Sequence, residues 1–128
     1  MNKSLAQKAA DIIEKKYYLF FCSADIATEL GVSKYHLIHI FGRHYGCTPG
    51  EYLKQIKIKN AAVMLKCSDY SIETVALLSG FASSGYFGKV FRKEMCQSPT
   101  EYRFINKNIP ITDEEEMLMQ QIEMMIHL

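Results

Sequence analysis

The sequence lacks the features that mark membrane and secreted proteins. No stretch approaches the roughly 18 to 20 consecutive apolar residues that a transmembrane helix needs. The N-terminus, Met-Asn-Lys-Ser-Leu-Ala-Gln-Lys, runs into charged residues rather than into the apolar segment of a signal peptide. The 128 residues contain no Trp, yet 48% are hydrophobic, which suits one compact domain or two very small ones. These absences predict a cytoplasmic protein with no membrane partner.

Signatures of catalysis and of metal binding are also missing. The four cysteines have no C-x-x-C spacing, which favours free thiols over a disulfide or a zinc site: Cys22, Cys47, Cys67 and Cys96. His36, His39 and His44 lie near one another in sequence, but no nearby carboxylate or Cys completes a tetrahedral metal set. There is no phosphate-binding Gly loop, nucleophile elbow or His-Glu metal motif. The sequence therefore predicts neither an enzyme nor a bound cofactor.

Acidic and basic residues are unevenly distributed along the chain. The formal net charge is only +1. Residues 1–107 hold all 15 Lys and Arg with 9 acidic residues, a net charge of +6. Residues 109–128 hold five acidic residues and no Lys or Arg. A basic body suits a polyanion such as DNA, although +6 on its own also fits an ordinary solvated surface.

The most informative feature is a repeat, in which residues 23–54 and 71–103 follow one pattern. The matching positions are Ala27, Gly31, Leu37, Ile40, Phe41, Pro49, Glu51 and Tyr52 in the first copy, and Ala76, Gly80, Phe87, Val90, Phe91, Pro99, Glu101 and Tyr102 in the second. Matching positions lie 49 residues apart before the turn and 50 residues apart after it, so the second turn has one inserted residue. Each copy predicts a short helix, a Gly-containing turn and a longer amphipathic helix, which is a helix-turn-helix.

Capping signals predict the remaining helices. Residues 4–16 have helical periodicity after Ser4, and Ser23 is expected to cap the first short helix. Thr48, Pro49 and Glu51 open a 19-residue connecting helix of roughly 28 Å, close to the ~34 Å of one DNA turn. After Pro110, Thr112 and Glu115 form another capping box before an acidic, Met-rich amphipathic helix.

These motifs together resemble the DNA-binding domain of the AraC/XylS family of bacterial regulators. The first half carries A-x-x-x-G-V-S-x-x-x-L-x-x-I-F from Ala27 to Phe41, G-x-T-P-x-E-Y-L from Gly46 to Leu53, and I-x-x-A-x-x-x-L from Ile58 to Leu65. The more specific second half carries Ala76, Gly80-Phe81, Tyr86-Phe87, Val90-Phe91-Arg92-Lys93, Pro99 and Glu101-Tyr102-Arg103. The resemblance covers about residues 5 to 104.

The resemblance implies an all-α fold with two helix-turn-helix subdomains joined by a long helix, and the residue pattern after Pro110 adds a C-terminal amphipathic helix. We place the first subdomain at residues 1–56, the second at 57–107, and the acidic extension at 108–128. The implied function is a transcription regulator, an activator that binds double-stranded DNA and contacts RNA polymerase, located in the cytoplasm on the nucleoid.

Helix geometry and the resemblance select the residues that face DNA. Base contacts are expected from Tyr35, Ile38 and His39 in the first recognition helix, and from Ser84, Gly85 and Lys89 in the second. Phosphate contacts are expected from Lys34, His36, Arg43, Lys57, Arg92 and Lys93. The lysines of the connecting helix fit phosphate contacts and an ordinary solvated face equally well: Lys54, Lys57, Lys59 and Lys66. Helix geometry places Tyr86 on the apolar side, whereas the family pattern places it near DNA.

Three departures from the family pattern affect these expectations. Cys96 stands where Gly is usual, so a different turn is expected there. Lys57 stands where Arg is usual, which exchanges a forked donor for a point charge. Gly85 and Gly88 lower helix propensity in the second recognition helix by about 1 kcal/mol each, and they favour close backbone approach over base reading.

The acidic tail leaves other functions open. One alternative is a helical protein-interaction module, in which residues 112–128 dock on a partner or on a second copy through a Met-rich face. Another is that the tail covers the basic face and inhibits DNA binding.

Overall fold

The computed structural model describes residues 3–19 and 21–126, which form eight helices and no strand. This confirms the all-α prediction. The helices are α1 (Leu5–Lys16), α2 (Ser23–Leu30), α3 (Lys34–Tyr45), α4 (Pro49–Cys67), α5 (Ile72–Leu78), α6 (Ser84–Met95), α7 (Pro99–Asn106) and α8 (Asp113–Ile126). Within the described ranges, no helix has the length and apolar character needed to cross a membrane.

The chain divides into two compact units that meet between Lys57 and Ile58, inside α4. In the first unit, α1, α2 and α3 enclose a core of Ala9, Ile13, Ile26, Leu37 and Phe41. In the second unit, the C-terminal part of α4 packs with α5 and α6 around Met64, Leu65, Val75, Phe87 and Phe91. Helix α4 also reaches the first core, against which Tyr52, Leu53 and Ile56 pack.

The sequence repeat is reproduced in hydrogen bonds at the two turns. The Val32 amide donates to the Ala27 carbonyl at 3.0 Å, and the Phe81 amide donates to the Ala76 carbonyl at 2.9 Å. Val32 is partly buried against the first core, and Phe81 is buried in the second. The residue without a counterpart is the exposed Ala82, between Phe81 and the N-cap Ser83.

The repeat is also reproduced in the aromatic packing after each recognition helix. The rings of Phe41 and Tyr52 meet edge to face at 5.4 Å and 77°. The rings of Phe91 and Tyr102 meet at 5.5 Å and 79°. Edge-to-face packing at this distance is a favourable arrangement for aromatic rings. The Pro-x-Glu-Tyr motif thus anchors the helix that follows each recognition helix.

Local hydrogen bonds begin the helices as the capping signals predicted, with one exception. Thr48 and Glu51 form a reciprocal pair at the start of α4, since the Glu51 amide donates to Thr48 Oγ1 at 3.1 Å and the Thr48 hydroxyl donates to the Glu51 carboxylate at 3.1 Å. The prediction that Ser23 caps α2 is wrong. The cap is Cys22, because the carboxylate of Asp25 accepts its amide proton at 2.8 Å.

A second expectation is wrong at Cys96, which keeps the turn found at the equivalent Gly46. Gly46 has φ +75° and Cys96 has φ +60°, both in the left-handed region. Each amide donates back into the preceding helix at 2.9 Å, Gly46 to Gly42 and Cys96 to Arg92. The hydrogen bond that closes the recognition helix is therefore preserved although a side chain is present.

The C-terminal helix α8 is part of the second core. Met119 and Ile122 are buried there, and Leu118 and Met125 pack against the same cluster. The capping box predicted for this helix is present, since the Thr112 amide donates to Glu115 at 2.9 Å and the Glu115 amide donates to Thr112 at 3.1 Å. The extension thus buries its apolar face within its own chain.

Candidate nucleic-acid interface

Helix α3 presents one apolar and one polar face. Leu37 and Phe41 are completely buried, and Ile40 is half-buried against the same core. Ser33 begins the helix by accepting the amide proton of His36 at 3.1 Å. Because buried positions fix the rotation of the helix, the opposite face is held toward solvent.

The residues of α3 that are predicted to contact DNA lie on or beside that solvent face. Tyr35 is 78% exposed, and its ring stacks on the ring of His39, with centroids 5.9 Å apart and planes 14° apart. Both residues are aromatic and lie one helical turn apart, so they form a flat paired surface. Ile38 is half-buried beside them. Lys34, His36 and Arg43 are exposed, as phosphate contacts would need to be.

Helix α6 likewise has one buried apolar face and one outer face, and the outer face carries smaller side chains than that of α3. Phe87, Val90 and Phe91 are buried, and Ser83 accepts the Tyr86 amide proton at 3.1 Å. Gly85 and Lys89 are exposed, and Ser84 is half-buried. An added Cβ at Gly85 or Gly88 would meet nothing within 4 Å, so packing inside the protein does not require either glycine.

Sequence reasoning from helix geometry misplaced Tyr86. Tyr86 is 54% exposed rather than on the apolar side, and the centroid of its ring lies 6.0 Å from that of the buried Phe81. The repeat contained the signal that would have corrected this. At an offset of 50 residues, Tyr86 corresponds to His36, which lies outside the apolar positions of α3. Tyr86 therefore joins the exposed residues of the second recognition helix.

The basic side chains predicted to contact phosphates differ in their surroundings. Lys93 is exposed, and Arg92 is exposed but paired with Glu101 at 3.0 Å. Glu101 also accepts the Ser98 amide, and its hydrogen bonds with Ser98, followed by the one from Arg92, lower the pKa of its carboxyl. Lys57 is half-buried, and this burial lowers the pKa of its ammonium.

Two of the connector lysines are engaged by the C-terminal helix. Lys66 donates to Glu115 at 2.6 Å and to the carbonyl of Pro110 at 3.1 Å, and its side chain is only 6% exposed. Lys59 lies 3.5 Å from Glu114. The Lys66 side chain is therefore held in a structural contact and is neither part of a solvated face nor a free phosphate contact.

The tail leaves the second recognition helix open to solvent. Lys89, Arg92 and Lys93 remain exposed while α8 is docked. The described part of the tail, through Ile126, does not cover them. All four cysteines are free thiols, and among residues 3–19 and 21–126 no three potential ligands cluster to hold a metal.

Comparisons with known proteins agree on one family. A family model described as a helix-turn-helix domain matches residues 26–104, more than half of the chain. The chain is 40% identical over 78 residues to a probable transcription factor, PqrA, of Proteus vulgaris, a match covering 61% of this chain and 64% of that protein. The chain spans less than two thirds of the length of the first curated relatives it matches.

Solved structures share the fold. The C-terminal domain of AraT, a response regulator from Geobacillus stearothermophilus, superposes with a TM-score of 0.81 at 25% identity, covering 87% of this chain and 93% of that chain. The DNA-binding domain of AdpA, determined in complex with a target DNA, gives 0.75 at 27% identity, covering 81% and 93%. The chain therefore belongs to the AraC-type family of helix-turn-helix, DNA-binding transcription regulators.

Proposed function

We propose that the protein binds double-stranded DNA sequence-specifically by inserting α3 and α6 into successive major-groove segments. The observation that carries the proposal is the duplicated hairpin. Each copy holds a longer helix whose apolar face is buried and whose outer face displays Lys or Arg side chains. Such a helix can enter the major groove, and two on one chain suit an asymmetric site of roughly 20 bp without a partner subunit.

In this proposal the two recognition helices contribute unequally to sequence specificity. Tyr35, Ile38 and His39 offer a donor and apolar surface to bases, whereas Ser84, Gly85 and Lys89 offer one long side chain and open backbone. Phosphate contacts come from Lys34, His36, Arg43, Lys57, Arg92 and Lys93. The first helix would then read more of the sequence, and the second would mainly hold the backbone.

Activation through contact with RNA polymerase completes the proposal and follows from the family resemblance. The regulator would then work on the nucleoid. Self-association through residues 112–128 is the weaker alternative, because Met119 and Ile122 already pack inside the chain.

Selection of bound sequences from a random DNA pool, with affinity followed against salt, tests DNA recognition. One asymmetric motif with two blocks a helical turn apart is expected, together with a steep fall of log affinity with log salt. Weak binding without an enriched motif would contradict the proposal.

The division of labour is tested by two single substitutions assayed on the same pool. His39→Ala should relax the preferred sequence more than Lys89→Ala, which should mainly weaken binding to all sequences. The opposite ranking would mean that the second helix carries the specificity. Neutralising Lys34, Arg43 and Lys89 together should abolish binding, because affinity depends on phosphate neutralisation.

A further inference from the structure

A groove runs beside α8 in the second unit, and none of the residues proposed to contact DNA lines it. It has a volume of about 420 Å³ and is open to solvent. It is lined by Cys67, Ile111, Glu116, Met119, Gln120 and Glu123. Its lining combines apolar groups with two carboxylates, so it is suited to a side chain or segment that is both apolar and positively charged.

The charge of the groove is uncompensated by its own lining. Glu116 and Glu123 lie seven residues apart on α8, two turns or about 10 Å along one side of the helix. Among residues 3–19 and 21–126, no basic side chain lines the groove. The nearby Lys66 is already paired with Glu115 and is buried. Residues 109–128 contain no Lys or Arg, so no cationic side chain of the tail offsets these two carboxylates.

An apolar strip continues the groove onto the outer face of α8. Met117 and Met124 are 61% and 70% exposed, and each lies within one turn of Gln120 in the groove wall. Methionine side chains are flexible and polarisable, which suits adaptable contact with a partner. The helix thus uses one face to join the core and offers a second face of mixed acidic and apolar character.

We propose that this surface, the α8 groove with Met117 and Met124, docks a cationic amphipathic helix of another protein. Charge complementarity selects this occupant. DNA and anionic membranes would be repelled by the carboxylates, and a second copy meeting it through the same face would bring two acidic surfaces together. A cationic amphipathic helix satisfies both the carboxylates and the methionines.

The test uses the full chain and a fluorescent 18-residue Leu-Lys peptide designed as an amphipathic helix. Anisotropy titration should show binding that weakens at least tenfold in the double variant Glu116→Gln/Glu123→Gln and several-fold in Met124→Ser. The matched control is Glu73→Gln/Glu94→Gln, which removes the same charge from two other exposed positions of the second unit. That control should bind the peptide nearly as tightly as the unmodified protein.

Equal weakening in the two double variants would show nonspecific charge attraction and overturn the proposal. An unchanged affinity in Met124→Ser would overturn the apolar part of the docking surface. Sedimentation should show a monomer, and a dimer lost in the Glu116→Gln/Glu123→Gln variant would assign the surface to self-association instead. DNA affinity, measured in parallel, should not fall in the groove variants. A failure of peptide docking can therefore be distinguished from a failure of DNA recognition.

Discussion

The Nζ of Lys66 lies 2.6 Å from the Oε1 of Glu115, joining two residues that are 49 positions apart in the chain. The Lys66 side chain is almost fully buried, while that of Glu115 is 21% exposed. The hydrogen bond from Lys66, followed by the one from the Thr112 amide, lowers the pKa of the Glu115 carboxyl below its ordinary value. The ion pair therefore ties α8 to α4 most strongly when Glu115 is ionised.

A pH dependence of stability follows from this ion pair. Because the pKa of Glu115 is lower in the folded protein, its contribution is full above the ordinary pKa near 4.5 and is lost as the pH falls through the folded value. Glu115→Gln should lower the free energy of unfolding by about 1–3 kcal/mol at pH 7. Urea denaturation should show this difference shrinking as the pH falls from 5 to 3.

The control for this measurement is Glu114→Gln. Glu114 is 81% exposed and lies 3.5 Å from Lys59, so its replacement should cost less than about 1 kcal/mol at any pH. A pH-independent difference between Glu115→Gln and the unmodified protein would contradict the role given to the ionised pair.

Two substitutions on α8 test whether this helix belongs to the core. Ile122 is 2% exposed, so Ile122→Ala should lower the free energy of unfolding by about 2–5 kcal/mol through lost burial and a cavity. Met124, two residues later, is exposed, and Met124→Ala should change the free energy of unfolding by no more than about 0.5 kcal/mol. Similar values for the two variants, measured by urea denaturation, would mean that α8 is not packed as described.

Cys96 should be replaceable by Gly with a gain in stability. Its φ of +60° costs a residue with a side chain roughly 1–2 kcal/mol of stability, and Gly would remove this cost. Part of that gain is lost again, because Gly has more conformational freedom in the unfolded chain. Cys96→Gly should therefore raise the free energy of unfolding by about 0.5–1 kcal/mol. The reciprocal control, Gly46→Ala, should destabilise, since φ there is +75° although the space around it is open. Thermal melting decides, and a loss of stability in Cys96→Gly would show a packing role for the thiol.

Gly85→Ala separates folding from DNA contact. Since an added Cβ meets nothing within 4 Å, the substitution should stabilise α6 by about 0.5–1 kcal/mol through helix propensity. If DNA backbone or bases approach this helix closely, affinity should nevertheless fall at least tenfold. Unchanged affinity in Gly85→Ala would contradict the proposal that DNA approaches the backbone of α6 closely.

The helices and their caps were predictable because their causes are local. Periodic apolar residues and side chains three positions apart set the helix bounds, as at Thr48 with Glu51 and at Thr112 with Glu115. The packing of α8 was not predictable, because an amphipathic pattern says that a face is buried but not against what. Its contact with Lys66 depends on residues far apart in sequence.

The remaining errors arose where local preference and tertiary structure disagree. Cys96 adopts a backbone conformation that its residue type disfavours, because the end of α6 and its hydrogen bond to Arg92 require that turn. Helix geometry alone places Tyr86 on the apolar side of α6, yet the rotation of that helix is set by Phe87, Val90 and Phe91, which leaves Tyr86 exposed as the family pattern implies. The residues proposed to face DNA remain predictions that binding experiments must decide.

The single unmatched residue in the repeat, Ala82, shows which parts of each hairpin can vary in length. It falls between the amide that closes the short helix and the serine that opens the recognition helix, and both hydrogen bonds keep the distances of the first copy. An extra residue at this exposed position therefore disturbs neither helix end. The same position is a place where a reporter group or a short inserted peptide could be carried with the recognition helix still intact.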